Sequence, residues 1–579
     1  MIRLPGVRFV CVTAIPLTLG ACGDQLPRPP APRLEFVDVA PASGLDLVSV
    51  SGDARRWYII ESNGNGAAWI DYDGDGDVDL FLGNGSHLDY IEDGKRLAVR
   101  GDGHSKLYRN DGGMKFTDVS ASTGLDRTDW INGVATGDVD NDGDPDLYLA
   151  CFGADVFLRN DSGHFVEATA QSGLANPKWG ASAVFGDVDN DGDLDLYVAN
   201  YCEFDLEHPP DGGVRSVING TEVGIGPEAE NKRGLNPGAP DVFFENTGGG
   251  KFREATAAFG FALAKPQCSY AVVMSDIDGD GWQDVLVAND VQPSNLFHND
   301  GHGHFSEQGL ARGFALNADG AATGAMGLFV DDVDGDGDFD VLRTNFDFEA
   351  NSLLINDGKG NFTDLAASFG LAEPSIDKLG WDGGFFDADL DGDLDLLVAN
   401  GHVYPQSAQV QMGAWKQPTQ LYEASRDKKG ALHFTDATAR AGSGLAGVHA
   451  ARGIALGDPD DDGDIDALVT AIDEQPRLLE NRSARQGHWL AVRTIGTRSN
   501  RDGSGARITV RAGGVSFVRE SRSASGLYSA NDPRIHFGLG MIQSIDSIEV
   551  RWPSGALSQV LKPAPDSLQI VTEPMETTK

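Results

Sequence analysis

Little in this 579-residue chain is basic, aromatic or sulfur-bearing. The 45 Lys and Arg face 88 Asp and Glu, a formal charge of −43, so phosphates are repelled and nucleic acid is excluded as a partner. Beyond the first 22 residues no apolar run is long enough to span a bilayer. The five cysteines exclude a disulfide framework: Cys11 and Cys22 fall in the N-terminal segment, and Cys151, Cys202 and Cys268 allow at most one internal bridge. No Ser/His/Asp order, paired general acid and base, or phosphate-cradling glycine loop stands out, so no catalytic residue is assigned. Glycine is plentiful instead, at 74 residues, which suits many short strands joined by tight turns.

The opening MIRLPGVRFVCVTAIPLTLGAC has Arg3 and Arg8, then an apolar stretch from Phe9 to Leu19, as an export signal does. Leu19-Gly20-Ala21-Cys22 resembles a bacterial lipobox, in which Cys22 is lipidated; an ordinary cleaved signal is the alternative. Residues 1–22 are therefore expected to direct export, and 23–33 to form a Pro-rich tether holding the protein off the envelope membrane. An exported protein meets oxidising conditions, so a Cys202–Cys268 disulfide is expected, with Cys151 the competitor.

A unit D-x-D-x-D-G-x-x-D, followed by a short apolar strand, occurs seven times at a spacing of roughly 65 residues. It begins at Asp71, Asp138, Asp187, Asp276, Asp332, Asp387 and Asp458. A second unit, F-x-[DE] leading to a Gly-[Leu/Phe] turn, also occurs seven times, as in FVDVAPASGL from Phe36. With the runs between, each repeat makes four strands, and four-stranded blades packed radially form a β-propeller. The expected fold is all-β: a seven-bladed propeller over 34–482, a small β domain over 483–573 and a tail from 574 to 579. Strand order also predicts the closure. The chain starts with an outer strand at Phe36 and ends the seventh repeat on a third strand, Arg477 to Asn481, so the first strand should complete the last blade.

Thirty-five of the acidic residues are aspartates in these loops; without them 53 acidic residues face 45 basic ones. Positions 1, 3, 5 and 9 are always Asp and position 6 is always Gly. Several carboxylates on one tight turn are what Ca²⁺, a hard ion with 6–8 oxygen ligands, requires. The candidate ligands of the first loop are Asp71, Asp73, Asp75, Asp77 and Asp79. Those of the second and third are Asp138, Asp140, Asp142, Asp144 and Asp146, and Asp187, Asp189, Asp191, Asp193 and Asp195. The fourth has Asp276, Asp278, Asp280 and Asp284, with Trp282 at position 7, where a main-chain carbonyl ligand tolerates the change. The fifth has Asp332, Asp334, Asp336, Asp338 and Asp340, and the sixth Asp387, Asp389, Asp391, Asp393 and Asp395. The seventh has Asp458, Asp460, Asp462, Asp464 and Asp466. An EF-hand needs Glu at position 12; here that position holds Leu82, Leu149, Val198, Val287, Arg343, Val398 and Val469, so that reading fails. Up to seven structural calcium ions are expected.

The loops and blade order resemble the FG-GAP/VCBS repeats of integrin-α-like propellers. GSGARITVRAGG, GLYSANDPRIHFGLG and IEVRWPSGALSQVL resemble the ASPIC/UnbV domain. The combination is similar to the cartilage acidic protein family and its bacterial relatives, which implies the fold and calcium more firmly than a ligand.

Asn84, Asn200, Asn289, Asn345 and Asn400 follow the last loop aspartate by five residues, on the rim opposite the acidic loops. Each ends a strand; together they are also a candidate ligand-reading ring. Trp130, Trp179, Tyr270 and Trp381 lie on that rim, as core packing or as ligand contacts. His298, His302 and His304 sit in a hairpin and are expected to face water rather than bind metal. The leading expectation is a calcium-dependent adhesion or binding module for a protein or glycan, touching membrane only through its anchor. The alternatives are a carbohydrate-active enzyme, with His402, Tyr404 and Arg343 as nearest candidates in the axial mouth, and an envelope scaffold.

Overall fold

The computed structural model describes residues 34–92, 94–209, 216–218, 221–223, 237–410, 412–522, 524 and 526–575. The expected signal, Cys22 and the expected tether lie outside them. Among the described residues, seven four-stranded antiparallel sheets follow one another in sequence. In each, the acidic loop joins the first strand to the second, as between Ile131–Gly137 and Asp146–Cys151. The first strands are almost wholly buried and touch their neighbours in an unbroken cycle around an axis.

The cycle closes at the expected seam. Phe36–Asp38 lies antiparallel to Arg477–Asn481, with Phe36 opposite Asn481 and Asp38 opposite Leu479. Phe36 is fully buried and meets Phe386 edge-on, 6.2 Å between centroids. The repeated Gly of the second unit explains itself here. A methyl group on Gly173 would lie 2.3 Å from the Phe252 carbonyl oxygen of the next blade, and one on Gly370 would lie 2.6 Å from that of Phe434. Both glycines have positive φ, so each turn presses its backbone on the neighbouring outer strand.

Residues 489–572 form two further sheets around their own apolar core. One holds Ile535–Gly538, Trp489–Ile495 and Leu568–Thr572. The other holds Val515–Glu520, Arg507–Ala512, Ile545–Arg551 and Leu557–Leu561.

Three inserts emerge at the rim away from the acidic loops, one of them in blade six between Asp395–Asn400 and Gln420–Arg426. Another is the hairpin Leu88–Ile91 with Arg96–Val99 in blade one, which sequence reading missed. The third follows Asn200 in blade three; it and the hairpin are joined by Leu97 N–H donating to Leu206 O (2.8 Å) and by Arg96–Glu207 (2.7 Å).

Candidate metal loops and the two faces

Each acidic loop is built by the same few bonds. Position 6 glycine has φ between +90° and +104° in all seven loops, at Gly463 and Gly143 respectively. The N–H of that glycine donates to the position 1 carboxylate, as Gly143 does to Asp138 (2.8 Å) and Gly392 to Asp387 (2.7 Å). The position 7 N–H donates to the position 5 carboxylate, as Asp144 does to Asp142 and Trp282 does to Asp280 (both 2.9 Å). Only its main chain is used in that bond, so Trp282 fits where the other loops have Asp.

Position 9 aspartates are at most 2% exposed, and one oxygen of each accepts an N–H from the third strand. Asp146 takes that of Asn160 and Asp466 that of Asn481 (both 2.7 Å). The same asparagines were not singled out from sequence, yet they stitch the ring. Asn160 Nδ2 donates to Pro145 O of its own loop (3.2 Å) and to Tyr72 O of the preceding blade's loop (2.9 Å). Asn110, Asn246, Asn299, Asn356 and Asn481 repeat the pattern. Blade six has Ala424 instead, whose N–H still reaches Asp395 (2.6 Å).

The donor set fits a divalent cation. Ligand oxygens of Asp71, Asp73 and Asp79, of Asp138, Asp140 and Asp142, and of Asp187, Asp189 and Asp191 lie within 4.8 Å of one another in each group. Buried oxygens of Asp140, Asp187, Asp276, Asp278, Asp284 and Asp466 lack any hydrogen-bond partner. Burial and then the negative charge of neighbouring loop aspartates raise Asp187 to about 7; burial raises Asp340 to about 8, with Asp334 and Asp336 adding. Carboxylates held this way are ionised cheaply only beside a cation. The acidic loops thus ring one face, and several of them can hold metal ions.

That face is covered. Residues 483–573 carry 11 basic against 7 acidic side chains and dock their arginines on the loops. Arg551 meets Asp276 (2.8 Å), Arg493 meets Asp71 (3.4 Å), and Arg534 meets Asp461 (2.5 Å). Asn500 donates to Asp187 (3.3 Å), and Gln486 to Asp389 (2.5 Å). The segment Gly526-Leu527-Tyr528-Ser529-Ala530-Asn531-Asp532 enters the ring's axis. Ala530 exchanges hydrogen bonds with the first strand of blade one, its N–H to Ala67 O (2.9 Å) and its carbonyl from Trp69 N–H (3.1 Å). Val134 N–H of blade two donates to Tyr528 O (2.9 Å). Asp382 of blade six accepts from Leu527 N–H (2.9 Å) and from Ile454 N–H of blade seven (3.1 Å). Tyr528 is 1% exposed, and its hydroxyl donates to Asn63 (3.0 Å).

On the opposite rim the structure corrects several expectations. Asn84, Asn200, Asn289, Asn345 and Asn400 are at most 3% exposed and present nothing to a ligand. Their amides hold the turn that leaves the strand: Asn200 Nδ2 donates to Pro240 O, and Asn289 Nδ2 to Pro293 O (both 2.8 Å). Trp130, Trp179, Tyr270 and Trp381 are buried too, in one aromatic chain running through Phe152 and Tyr201 to Tyr528. Their rings turn toward one another over the axis because the inserts and the axial segment cover them.

Cys202 and Cys268 share that cluster, but both are thiols, as is Cys151, and no disulfide joins them. Burial pushes the Cys268 thiol up to about 12. His402 and Arg343 are fully buried and Tyr404 nearly so; burial and the Arg452 charge lower His402 to about 3. They do not line an open mouth. His298 sits in the hairpin as expected but is half-buried, its Nδ1 3.0 Å from Asp284, while His302 and His304 are exposed.

The rim exposes Arg55 on the segment before Ala67–Ile70, against the Leu88–Ile91 hairpin. The Arg55 guanidinium sits 4.7 Å from the Trp57 ring and 4.1 Å from the Tyr90 ring, and pairs with Asp53 (2.7 Å). Buried Glu61 holds this turn, accepting N–H groups from Asp53 (2.6 Å), Trp57 (2.8 Å) and Tyr58 (3.0 Å) as well as the Tyr90 hydroxyl. Gln406 of the blade-six insert donates to Arg55 O (2.6 Å).

Comparison with known families matches these repeats. The FG-GAP-like repeat family matches residues 71–149, 146–198, 276–343 and 332–398, and the ASPIC and UnbV family matches 496–578. The chain therefore carries FG-GAP-like repeats and an ASPIC and UnbV domain over those residues. Cartilage acidic protein 1 of Mus musculus is 25% identical over 347 residues, 58% of this chain and 48% of its own length. The Homo sapiens protein is 26% identical over 288 residues, 47% of this chain and 39% of its own. The chain thus spans less than half the length of these relatives. Among solved structures, YCF48 bound to D1 peptide has a TM-score of 0.39 at 9% identity, covering 78% of this chain and 99% of that one. An Agrocybe aegerita lectin that recognises terminal N-acetylglucosamine has a TM-score of 0.35 at 15% identity, covering 65% and 80%. At these scores neither bears on ligand or activity.

Proposed function

We propose that this FG-GAP-repeat protein is a calcium-dependent, extracytoplasmic binding module whose ligand, a protein or a glycan, is taken by the insert-bearing rim. The observation that carries it is the asymmetry of the two faces. One face is occupied by the chain's own C-terminal residues, while the other displays Arg55 against the paired rings of Trp57 and Tyr90, which are 5.0 Å apart. Aromatic rings and arginine give large contact area at low entropic cost, and loops on a rigid scaffold are where recognition concentrates. The calcium ions are structural: each fixes a loop between a blade's first two strands, far from the ligand. Export and anchoring through Cys22 belong to the same reading and rest on the lipobox-like sequence alone.

The test is a glycan array and an envelope-protein pull-down with the calcium-loaded protein, repeated with Arg55→Ala and Trp57→Ala. Binding by the wild type that falls at least tenfold in both variants is expected. Ligand retained equally by both variants would move the site elsewhere. Labelling with radioactive palmitate, lost in Cys22→Ser, checks the anchor.

A further inference from the structure

Blade four departs from the other six at two places. Its loop has Trp282 where they have Asp, and its third strand turns His298 onto the loop. The residue paired likewise on the other third strands is Arg109, Arg159, Glu245, Ile355, Glu423 and Glu480. No nitrogen ligand stands there in any of them.

We propose that Asp278, Asp284 and His298 form a mixed carboxylate–imidazole site for a borderline divalent ion of the zinc class, distinct from the oxygen-only loops. One ligand atom from each lies within 4.8 Å of the others. His298 Nδ1 is 3.0 Å from Asp284 Oδ1 and 3.6 Å from Asp278 Oδ2. The Asp284 side chain is 1% exposed, and its Oδ2 is buried with no hydrogen-bond partner; Asp278 Oδ1 is likewise buried and unpartnered. Two polar atoms are therefore desolvated beside an imidazole with nothing to accept from, a costly arrangement unless a cation completes it.

The imidazole is what sets this loop apart. Guanidinium charge meets its carboxylates, Arg551 on Asp276 (2.8 Å) and Arg312 at 3.5 Å from Asp278 Oδ2, but it does so on loop seven too, where Arg485 meets Asp462 (2.8 Å). Zinc gains more from a single imidazole nitrogen, and His with carboxylates is a common zinc donor set. Solvent would supply the remaining position.

The experiment uses the full-length protein, stripped with chelator and dialysed against micromolar Zn²⁺ in millimolar Ca²⁺, with both metals counted by plasma mass spectrometry. One zinc per chain is expected in the wild type and in a His302→Ala/His304→Ala variant, and none in His298→Ala, with the calcium count of His298→Ala unchanged. X-ray absorption at the zinc edge of the wild type should show one imidazole, which keeps the test decisive if His298→Ala folds poorly. Zinc retained by His298→Ala, displacement of zinc by calcium in the wild type, or an oxygen-only zinc shell would each overturn the site. These outcomes leave the calcium reading of the other loops standing; a calcium count of zero would end that reading whatever zinc does.

Discussion

Gly143 isolates the cost of the loop's backbone. Its φ is +104°, and a methyl group added there would meet nothing within 4 Å, so Gly143→Ala introduces strain without a clash. A loss of about 1–3 kcal/mol is expected in urea unfolding with calcium present, together with weaker calcium binding. A change below about 0.5 kcal/mol would show the turn to be less constrained than its φ implies. The position 6 glycine was legible because no other residue type serves that φ. Position 4 also has positive φ in all seven loops, but there Gly, Asn, Leu390 and Asp461 all occur, so no residue type betrays it. The buried rim asparagines show the limit from the other side: residue type and spacing placed them on the right edge, and only packing could say that they face inward.

The strand Phe36–Asp38 is the seam of the ring and the element whose partner strand order alone assigned. Phe36→Ala should cost about 3–5 kcal/mol, because the side chain is fully buried between blades six and seven. Deleting residues 34–45 should lower the melting temperature of the whole propeller although it removes no loop aspartate. An unchanged melting temperature would mean that the seam contributes nothing. The asparagine girdle makes a second claim at this scale. Asn160→Ala leaves Tyr72 O and Pro145 O without their donor, and about 1–3 kcal/mol should be lost, read by the urea midpoint. The strands were legible from alternation and turn residues. The girdle was not, since an Asn at the start of a hairpin already has a sufficient local reason, and its bond to the preceding blade is long-range.

At the scale of the molecule, the C-terminal residues act as a cap with a central pin, which their motif did not foretell. Asp382 holds the pin from inside the ring. Burial raises its carboxyl from 3.8 to about 6, so its contribution to stability is present below pH 4 and is lost as pH rises through 6. The two-unit shift corresponds to about 3 kcal/mol between those limits. Asp382→Asn should therefore be destabilised at low pH yet show a flatter stability profile from pH 4 to 7 than the wild type. Parallel profiles would contradict the assignment. The central claim is that divalent ions in the acidic loops hold the propeller together, because binding confined to the folded state stabilises it by mass action. Calorimetry of the full-length protein before and after chelation, with bound calcium counted in the same samples, tests it most directly. Removal of calcium should lower the melting temperature by more than about 10 °C, with recovery on adding calcium back. An unchanged melting temperature in protein shown to be calcium-free would contradict it.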